Sequence, residues 1–165
     1  MDVKSINELS DGEAAQIFRK CCGSETWVRK MVESRPYAAL DAVFENCEQA
    51  FRILTEADWM DAFAAHPKIG DIKSLKEKYG DTKNWAQNEQ AGARGISDEV
   101  AADLAASNEL YFQKFGYIFI VCATGKSAQE MLTLLKQRLG NDPSSELPIA
   151  AAEQVKITKL RLEKL

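Results

Sequence analysis

The sequence predicts an all-α protein: a single-domain helical bundle over residues 1–165, with one extended, buried connection around residues 116–122. Apolar residues recur at spacings of three and four along most of the chain, which is the period of a helix with one buried face. Serine or threonine stands three residues before an acidic or amide-bearing residue ahead of several such stretches, a pattern that caps helix starts. No repeat and no low-complexity linker divides the 165 residues, so one domain is expected.

The first 65 residues carry several helix signals. Ser10 and Glu13 form a capping-box pattern, and a second helix is predicted over residues 25–33. Thr55 and Asp58 form another start signal, ahead of Trp59 and Phe63. The clearest amphipathic stretch lies between these signals, with one apolar stripe formed by Tyr37, Leu40, Phe44, Cys47, Phe51 and Leu54.

The middle of the chain is expected to alternate helices with breaks. Proline restricts the residue before it to extended backbone, so Pro67 should end the preceding helix at His66. Short helices are predicted over residues 73–79 and 82–91, and a longer one over residues 98–115. Residues 116–122 alone have strand composition, and without an evident partner strand they are predicted to be an extended connection.

The last forty residues predict two more helices. Ser127 and Glu130 open a helix that Gly140 closes. Pro148 suits the first turn of a final helix. The inward positions of that helix are predicted to be Ile149, Ala152, Val155 and Leu160.

Composition excludes several classes of function. The net charge of −4 argues against a nucleic-acid binder, which normally carries a basic excess. No apolar run approaches the roughly 20 residues of a membrane helix, and the first residues lack the apolar centre of a signal peptide, so a cytoplasmic protein is expected. The four cysteines include no C-x-x-C pair, so neither a metal site nor a disulfide framework is predicted.

Three sequence signals, which comprise four residues, could carry chemistry, and each has an ordinary structural alternative. His66, the single histidine, is a credible general acid or base, or a hydrogen-bonded structural histidine. Glu89 and Gln90, adjacent on a predicted helix, point about 100° apart, so one can face a pocket, although a solvated face would also explain them. Arg161 offers a planar fork for a carboxylate or ureido group, or lies on a basic surface.

Taken together, four motifs resemble those of a known family. HPKIGD at 66–71, EQAGA at 89–93, FGYIFIVCATGKSA at 115–128 and KLRL at 159–162 occur in this order in OHCU decarboxylase. The abbreviation stands for 2-oxo-4-hydroxy-4-carboxy-5-ureidoimidazoline, the ureide that this enzyme of urate breakdown converts to (S)-allantoin. Each motif is short, but the ordered set is specific and extends over almost the whole chain.

The resemblance implies an all-α fold, often a homodimer, that needs neither a metal nor an organic cofactor. The family's catalytic histidine and glutamate correspond to His66 and Glu89, and its ureide-holding side chains to Gln90 and Arg161. Further ligand contacts correspond to Pro67 and to the backbone amides around Ile118, Phe119 and Ile120. One departure is Ala86, where many members have a serine that touches the substrate.

Two rival functions stay open at this point. An enzyme acting on a related ureide could use the same polar groups. A helical binding module without chemistry would scatter His66, Glu89 and Arg161 over its surface, whereas the decarboxylase needs them at one site.

Overall fold

A computed structural model describes residues 2–67 and 96–165. This part of the chain is helical and holds no β-strand, which confirms the all-α class. The helices predicted over residues 73–79 and 82–91 lie outside it. Numbered in chain order, the described helices are α1 (Val3–Glu8), α2 (Asp11–Cys21), α3 (Glu25–Glu33), α4 (Leu40–Arg52), α5 (Glu56–Ala64), α6 (Asp98–Phe115), α7 (Ala128–Leu139) and α8 (Pro143–Leu162).

The first of two compact units comprises Met1–His66, Ile120–Cys122 and Pro148–Leu165. In its centre α3 packs against α2, α4 and α5. Trp27 of α3 is fully buried, and its indole N–H donates a 3.4 Å hydrogen bond to the carbonyl of Cys47. A row of ring contacts, with centroids 5.2–6.1 Å apart, passes through Phe18, Trp27, Phe51, Trp59 and Phe63. This row stabilises the end of α5, directly before His66.

Helix starts in this unit follow the predicted capping patterns. Ser10 with Glu13, and Thr55 with Asp58, form reciprocal capping boxes, and α3 covers the predicted residues 25–33. The predicted stripe of α4 is partly wrong. Its buried residues are Val43, Cys47, Ala50 and Phe51, whereas Leu40, the first residue of the helix, is 48% exposed.

Helix α1 was not predicted, because six residues are too few to show a helical period. Asp2 caps its start by accepting a hydrogen bond from the Ser5 amide at 2.8 Å. Arg35 covers its end, donating to the carbonyls of Ile6 at 2.9 Å and Leu9 at 2.7 Å.

The second unit comprises Pro67–Phe119 and Ala123–Leu147. Helix α6 covers the predicted residues 98–115 and packs against α7, and α7 starts at the predicted Ser127–Glu130 capping box. Glu146 is fully buried. Its carboxylate accepts hydrogen bonds from the Tyr111 hydroxyl at 2.5 Å, Arg138 Nε at 2.6 Å and Asn141 Nδ2 at 2.8 Å.

The final helix differs from its prediction in its start and in its buried face. It begins at Pro143, where the Asp142 side chain accepts a hydrogen bond from the Ser145 amide at 3.1 Å, so Pro148 lies inside it. Ile149 is 39% exposed and Ala152 is exposed, while Val155 and Leu160 are half-buried. The buried positions are every fourth residue instead: Glu146, Ala150, Gln154, Thr158 and Leu162. Three of these five side chains are polar or charged, which is why the hydropathy pattern did not reveal this face.

The predicted extended connection is confirmed. Gly116 ends α6 in the left-handed conformation, with φ 81°, a region that glycine enters without steric cost. Residues 117–123 are then neither helix nor strand, and Tyr117 and Ile120 are buried. Across the described ranges, no helix has both the length and the apolar character of a bilayer span.

Candidate functional site

His66 lies just beyond α5, as the Pro67 break predicts. The helix ends at Ala64, and the His66 amide donates to the carbonyl of Phe63 at 3.2 Å. The side chain is half-buried. Its backbone therefore follows directly from a residue that is fixed in the aromatic row of the first unit.

Gly23 brings the turn between α2 and α3 close to this end of α5. A Cβ atom on Gly23 would lie only 2.2 Å from the Cβ of Ala65, far inside van der Waals contact. The absence of a side chain at Gly23 thus allows the close approach, and it sets the position of the residue before His66.

The His66 ring contacts a buried amide of α8. Its Nε2 lies 2.6 Å from Oε1 of Gln154, a side chain with no solvent exposure. The Gln154 amide nitrogen donates in turn to Oγ1 of Thr158 at 3.1 Å. Thr158 is equally buried, and its hydroxyl donates to the carbonyl of Cys21 at 3.4 Å.

The same carbonyl connects His66 to Arg161. Cys21 is the last residue of α2, and the last carbonyls of a helix have no partner within it. Arg161 Nη1 donates to this carbonyl at 3.2 Å. One hydrogen-bonded network, described below as the α2–α8 network, therefore contains His66, Gln154, Thr158, the Cys21 carbonyl and Arg161.

The two thiols beside this network are held in their neutral form. Burial raises the pKa of Cys21 from its ordinary value of 9.0 to about 11, although the Arg161 charge opposes the change. Burial likewise raises the pKa of Cys22 to about 11. Both side chains are neutral thiols at physiological pH, and the thiolate is the nucleophilic form. Polar hydrogen bonding and the guanidinium charge are what this site offers to a ligand.

The remaining candidates divide between the two units. Ile120 is buried in the first unit, while Pro67 is exposed and belongs to the second. Ile118 and Phe119 are half-buried in the second unit. There the Phe119 ring lies 5.3 Å from that of Tyr111, and the Arg138 guanidinium lies 4.6 Å from its centroid. Glu89, Gln90 and Ala86 lie outside the described residues.

Sequence reasoning missed two members of the network, Gln154 and Thr158. A signal was present, because these polar residues are four apart and Arg161 follows three residues later. That spacing puts all three on one side of a helix. Polar residues on a helix are usually solvated, so the spacing alone did not identify them.

Comparison with known proteins identifies the family. The sequence model of the OHCU decarboxylase family matches residues 7–163, almost the whole chain. The chain belongs to the OHCU decarboxylase family. The match includes every candidate residue named above.

Relatives and a solved structure give the extent of the similarity. The chain is 38% identical over 148 residues to the uric acid degradation bifunctional protein TTL of Arabidopsis thaliana, covering 90% of this chain but 46% of that protein. It is 29% identical over 164 residues to a 2-oxo-4-hydroxy-4-carboxy-5-ureidoimidazoline decarboxylase of Amia calva, covering 99% and 93%. A crystal structure of OHCU decarboxylase in the presence of (S)-allantoin superposes with a TM-score of 0.72 and 34% identity, covering 94% and 97%. The chain thus spans about half the length of its bifunctional plant relative and nearly all of the Amia calva decarboxylase.

Proposed function

We propose that this chain decarboxylates 2-oxo-4-hydroxy-4-carboxy-5-ureidoimidazoline to (S)-allantoin, a step of urate and purine degradation. The observation that carries the proposal is the α2–α8 network, because it connects His66 to Arg161. These are the residues that correspond to the family's catalytic histidine and to its ureide-holding arginine. A binding module without chemistry is expected to scatter His66 and Arg161 over its surface, whereas both side chains belong to this one network.

In this reaction the protein mainly has to orient the substrate and control the proton transfers. When the C–C bond to the carboxylate breaks, its electron pair forms a ring C=C bond and displaces the C=N pair onto nitrogen, which takes up a proton. The resulting enol loses its hydroxyl proton, and the neighbouring carbon gains one on a single face to give (S)-allantoin. The substrate absorbs the electrons itself, so positioning and charge stabilisation are the protein's contribution.

Each candidate residue has a role in this scheme. His66 accepts the hydroxyl proton of the substrate and delivers a proton to carbon. Glu89 holds the ring hydroxyl, and Gln90 and Arg161 anchor the ureido arm, so that binding remote from the reacting end fixes its position. The backbone around Ile118 to Ile120 and the Pro67 ring complete the substrate contacts.

The decisive assay generates the unstable substrate in the cuvette from urate with an oxidase and a hydrolase. Circular dichroism then follows (S)-allantoin after this protein is added. A circular dichroism signal of (S)-allantoin that grows much faster than the spontaneous decay, which gives a racemic product, supports the proposal. Unchanged decay and a racemic product would contradict it, and would favour either a related ureide as substrate or a binding role.

Two variants distinguish the roles of the residues. His66→Ala should lower kcat by about 10²–10⁴-fold, the usual contribution of general acid–base catalysis, whereas Arg161→Ala should raise KM as well. Lys156→Ala is the matched control on the same helix, because its side chain is 62% exposed and pairs only with the neighbouring Glu153 in the described contacts. A His66→Ala variant with full turnover would remove His66 from the mechanism.

We further propose that the enzyme is a cytoplasmic homodimer. Four free cysteines, three of them buried, suit a reducing compartment. The homodimer is the state that the family resemblance implies, and five large apolar side chains are exposed in the described part of the chain: Leu40, Ile53, Leu110, Phe112 and Ile149. Light scattering at micromolar concentration tests the dimer, and a monomeric mass would contradict it; cell fractionation tests the location.

A further inference from the structure

The α2–α8 network has a direction, because the Cys21 carbonyl within it can only accept hydrogen bonds. A backbone carbonyl carries no hydrogen, so in the 3.4 Å contact between Thr158 and the Cys21 carbonyl the hydroxyl is the donor. The Thr158 oxygen is then an acceptor for the amide group of Gln154, which donates to it at 3.1 Å. With its NH₂ group turned toward Thr158, Gln154 presents its carbonyl oxygen to His66 at 2.6 Å.

We propose that Gln154 is a positioning residue for His66 and that Thr158 fixes its polarity, so that neutral His66 carries its hydrogen on Nε2. A neutral imidazole has one N–H and one lone pair, and only an N–H can bond to the Gln154 oxygen. The lone pair is therefore on Nδ1, and Nδ1 is the nitrogen that takes the substrate proton. The side chain that determines the reactive nitrogen, Thr158, lies two hydrogen bonds from the ring.

Burial makes this choice strict. Gln154 and Thr158 are both without solvent exposure, so water cannot substitute for a missing partner. If the Gln154 amide rotated by half a turn, its NH₂ group would face the His66 N–H and its oxygen would face the Thr158 oxygen. Restoring both contacts would require two changes: the His66 hydrogen would have to move to Nδ1, and the Thr158 hydroxyl would have to turn from the Cys21 carbonyl toward Gln154, which leaves Arg161 as the remaining donor to that carbonyl. Partners of this kind commonly set the tautomer of a functional histidine.

The tautomer can be measured directly, since His66 is the chain's single histidine. In ¹⁵N-histidine-labelled protein, a long-range ¹H–¹⁵N correlation spectrum shows one pair of ring nitrogens without any assignment problem. At about pH 9, well above the ordinary imidazole pKa of about 6.5, the wild-type spectrum should show a protonated Nε2 and an unprotonated Nδ1. A protonated Nδ1 would overturn the proposal, and this measurement needs neither a variant nor substrate.

Thr158→Val and Thr158→Ser form the matched pair of variants. Valine has nearly the shape of threonine but no hydroxyl, so the Gln154 NH₂ group loses the acceptor that orients it. Both tautomers of His66 should then be populated. Serine keeps the hydroxyl and should keep the wild-type spectrum. A Thr158→Val spectrum identical to that of the wild type would refute the role of Thr158. If Thr158→Val does not fold, the wild-type and Thr158→Ser spectra still decide the tautomer.

Kinetics supply a second readout, which rests on the proposed decarboxylase function. Thr158→Val should lower kcat about 10-fold, the smaller end of what loss of an orienting partner costs, with KM within about twofold because Arg161 still binds the ureido arm. Thr158→Ser should retain kcat within about twofold. A wild-type protein with the expected tautomer but no decarboxylation would refute the proposed function alone. An active enzyme with a protonated Nδ1 would refute this inference alone.

Discussion

Gly23→Ala should damage the site through a contact that involves no ligand-binding residue. The new Cβ would lie 2.2 Å from the Ala65 Cβ, whereas ordinary contact begins at 3.4 Å, so the atoms must separate by 3.4 − 2.2 = 1.2 Å. The Ala65 methyl has no rotamer with which to move away. The end of α5, and His66 with it, must therefore shift relative to the turn between α2 and α3.

The expected losses follow from this displacement. Overpacking costs about 1–3 kcal/mol of unfolding free energy, and each kcal/mol lowers Tm by about 2–4 °C in a chain of this size. With His66 in its proposed catalytic role, a displacement of about 1 Å costs about 10²-fold in rate, so kcat should fall by about that factor. Differential scanning calorimetry and the circular dichroism assay measure the two effects.

Two variants make the reasoning refutable. Ala65→Gly in the Gly23→Ala background removes the second methyl and should restore most of kcat, a coupling that a double-mutant cycle quantifies. Gly12→Ala is the matched control, because nothing lies within 4 Å of its new methyl; it should be neutral or stabilising by up to about 1 kcal/mol. A fully active Gly23→Ala protein, or a double variant as impaired as the single one, would show that this close approach does not place His66.

Two further predictions concern stability. Arg35→Met should lower the free energy of unfolding, measured by chemical denaturation, by about 2–3 kcal/mol, because a charged donor is lost from the carbonyls of Ile6 and Leu9. Arg29→Met is the control, since the Arg29 side chain is 65% exposed. Equal losses in the two variants would contradict the capping role of Arg35. Stability should also fall as pH rises above about 9. The unfolded thiols ionise there, whereas burial keeps the native thiols protonated to higher pH, so each stabilises the fold below pH 9 and loses up to about 1.4 kcal/mol per pH unit above it. The thiols concerned are those of Cys21, Cys22 and Cys47, whose pKa values burial raises to about 11, 11 and 12. Cys47→Ala should make stability less dependent on pH above 9. An unchanged pH dependence in this variant would contradict the role of the Cys47 thiol.

Local sequence signals predicted those parts of the fold that local physics determines. The capping boxes at Ser10, Thr55 and Ser127 are formed by neighbouring residues, so their patterns indicated three helix starts correctly. The start of α8 was wrong because two prolines compete for the first turn, and the Asp142 cap selects Pro143 over Pro148. That selection depends on a side-chain hydrogen bond, which composition does not reveal.

The candidate site was predictable only in its exposed and half-buried members. His66 and Arg161 were found through motifs, and they share one network. Gln154 and Thr158 were missed because their role depends on the α2 carbonyl at Cys21, more than 130 residues away in the chain. A hydropathy pattern assigns apolar residues to the buried face of a helix. It therefore gives the wrong face for a helix such as α8, in which buried positions are polar.

The polar inward face of α8 also determines the register of this helix. A slide by one turn, about 5.4 Å, would place Ala150 where Gln154 now meets His66, and would leave two buried polar groups without partners. Apolar side chains are nearly interchangeable along a helix, so an all-leucine face would tolerate such a slide, whereas buried polar residues can single out one alignment. The contacts of Gln154 and Thr158 therefore favour the one alignment of this helix in which Gln154 faces His66.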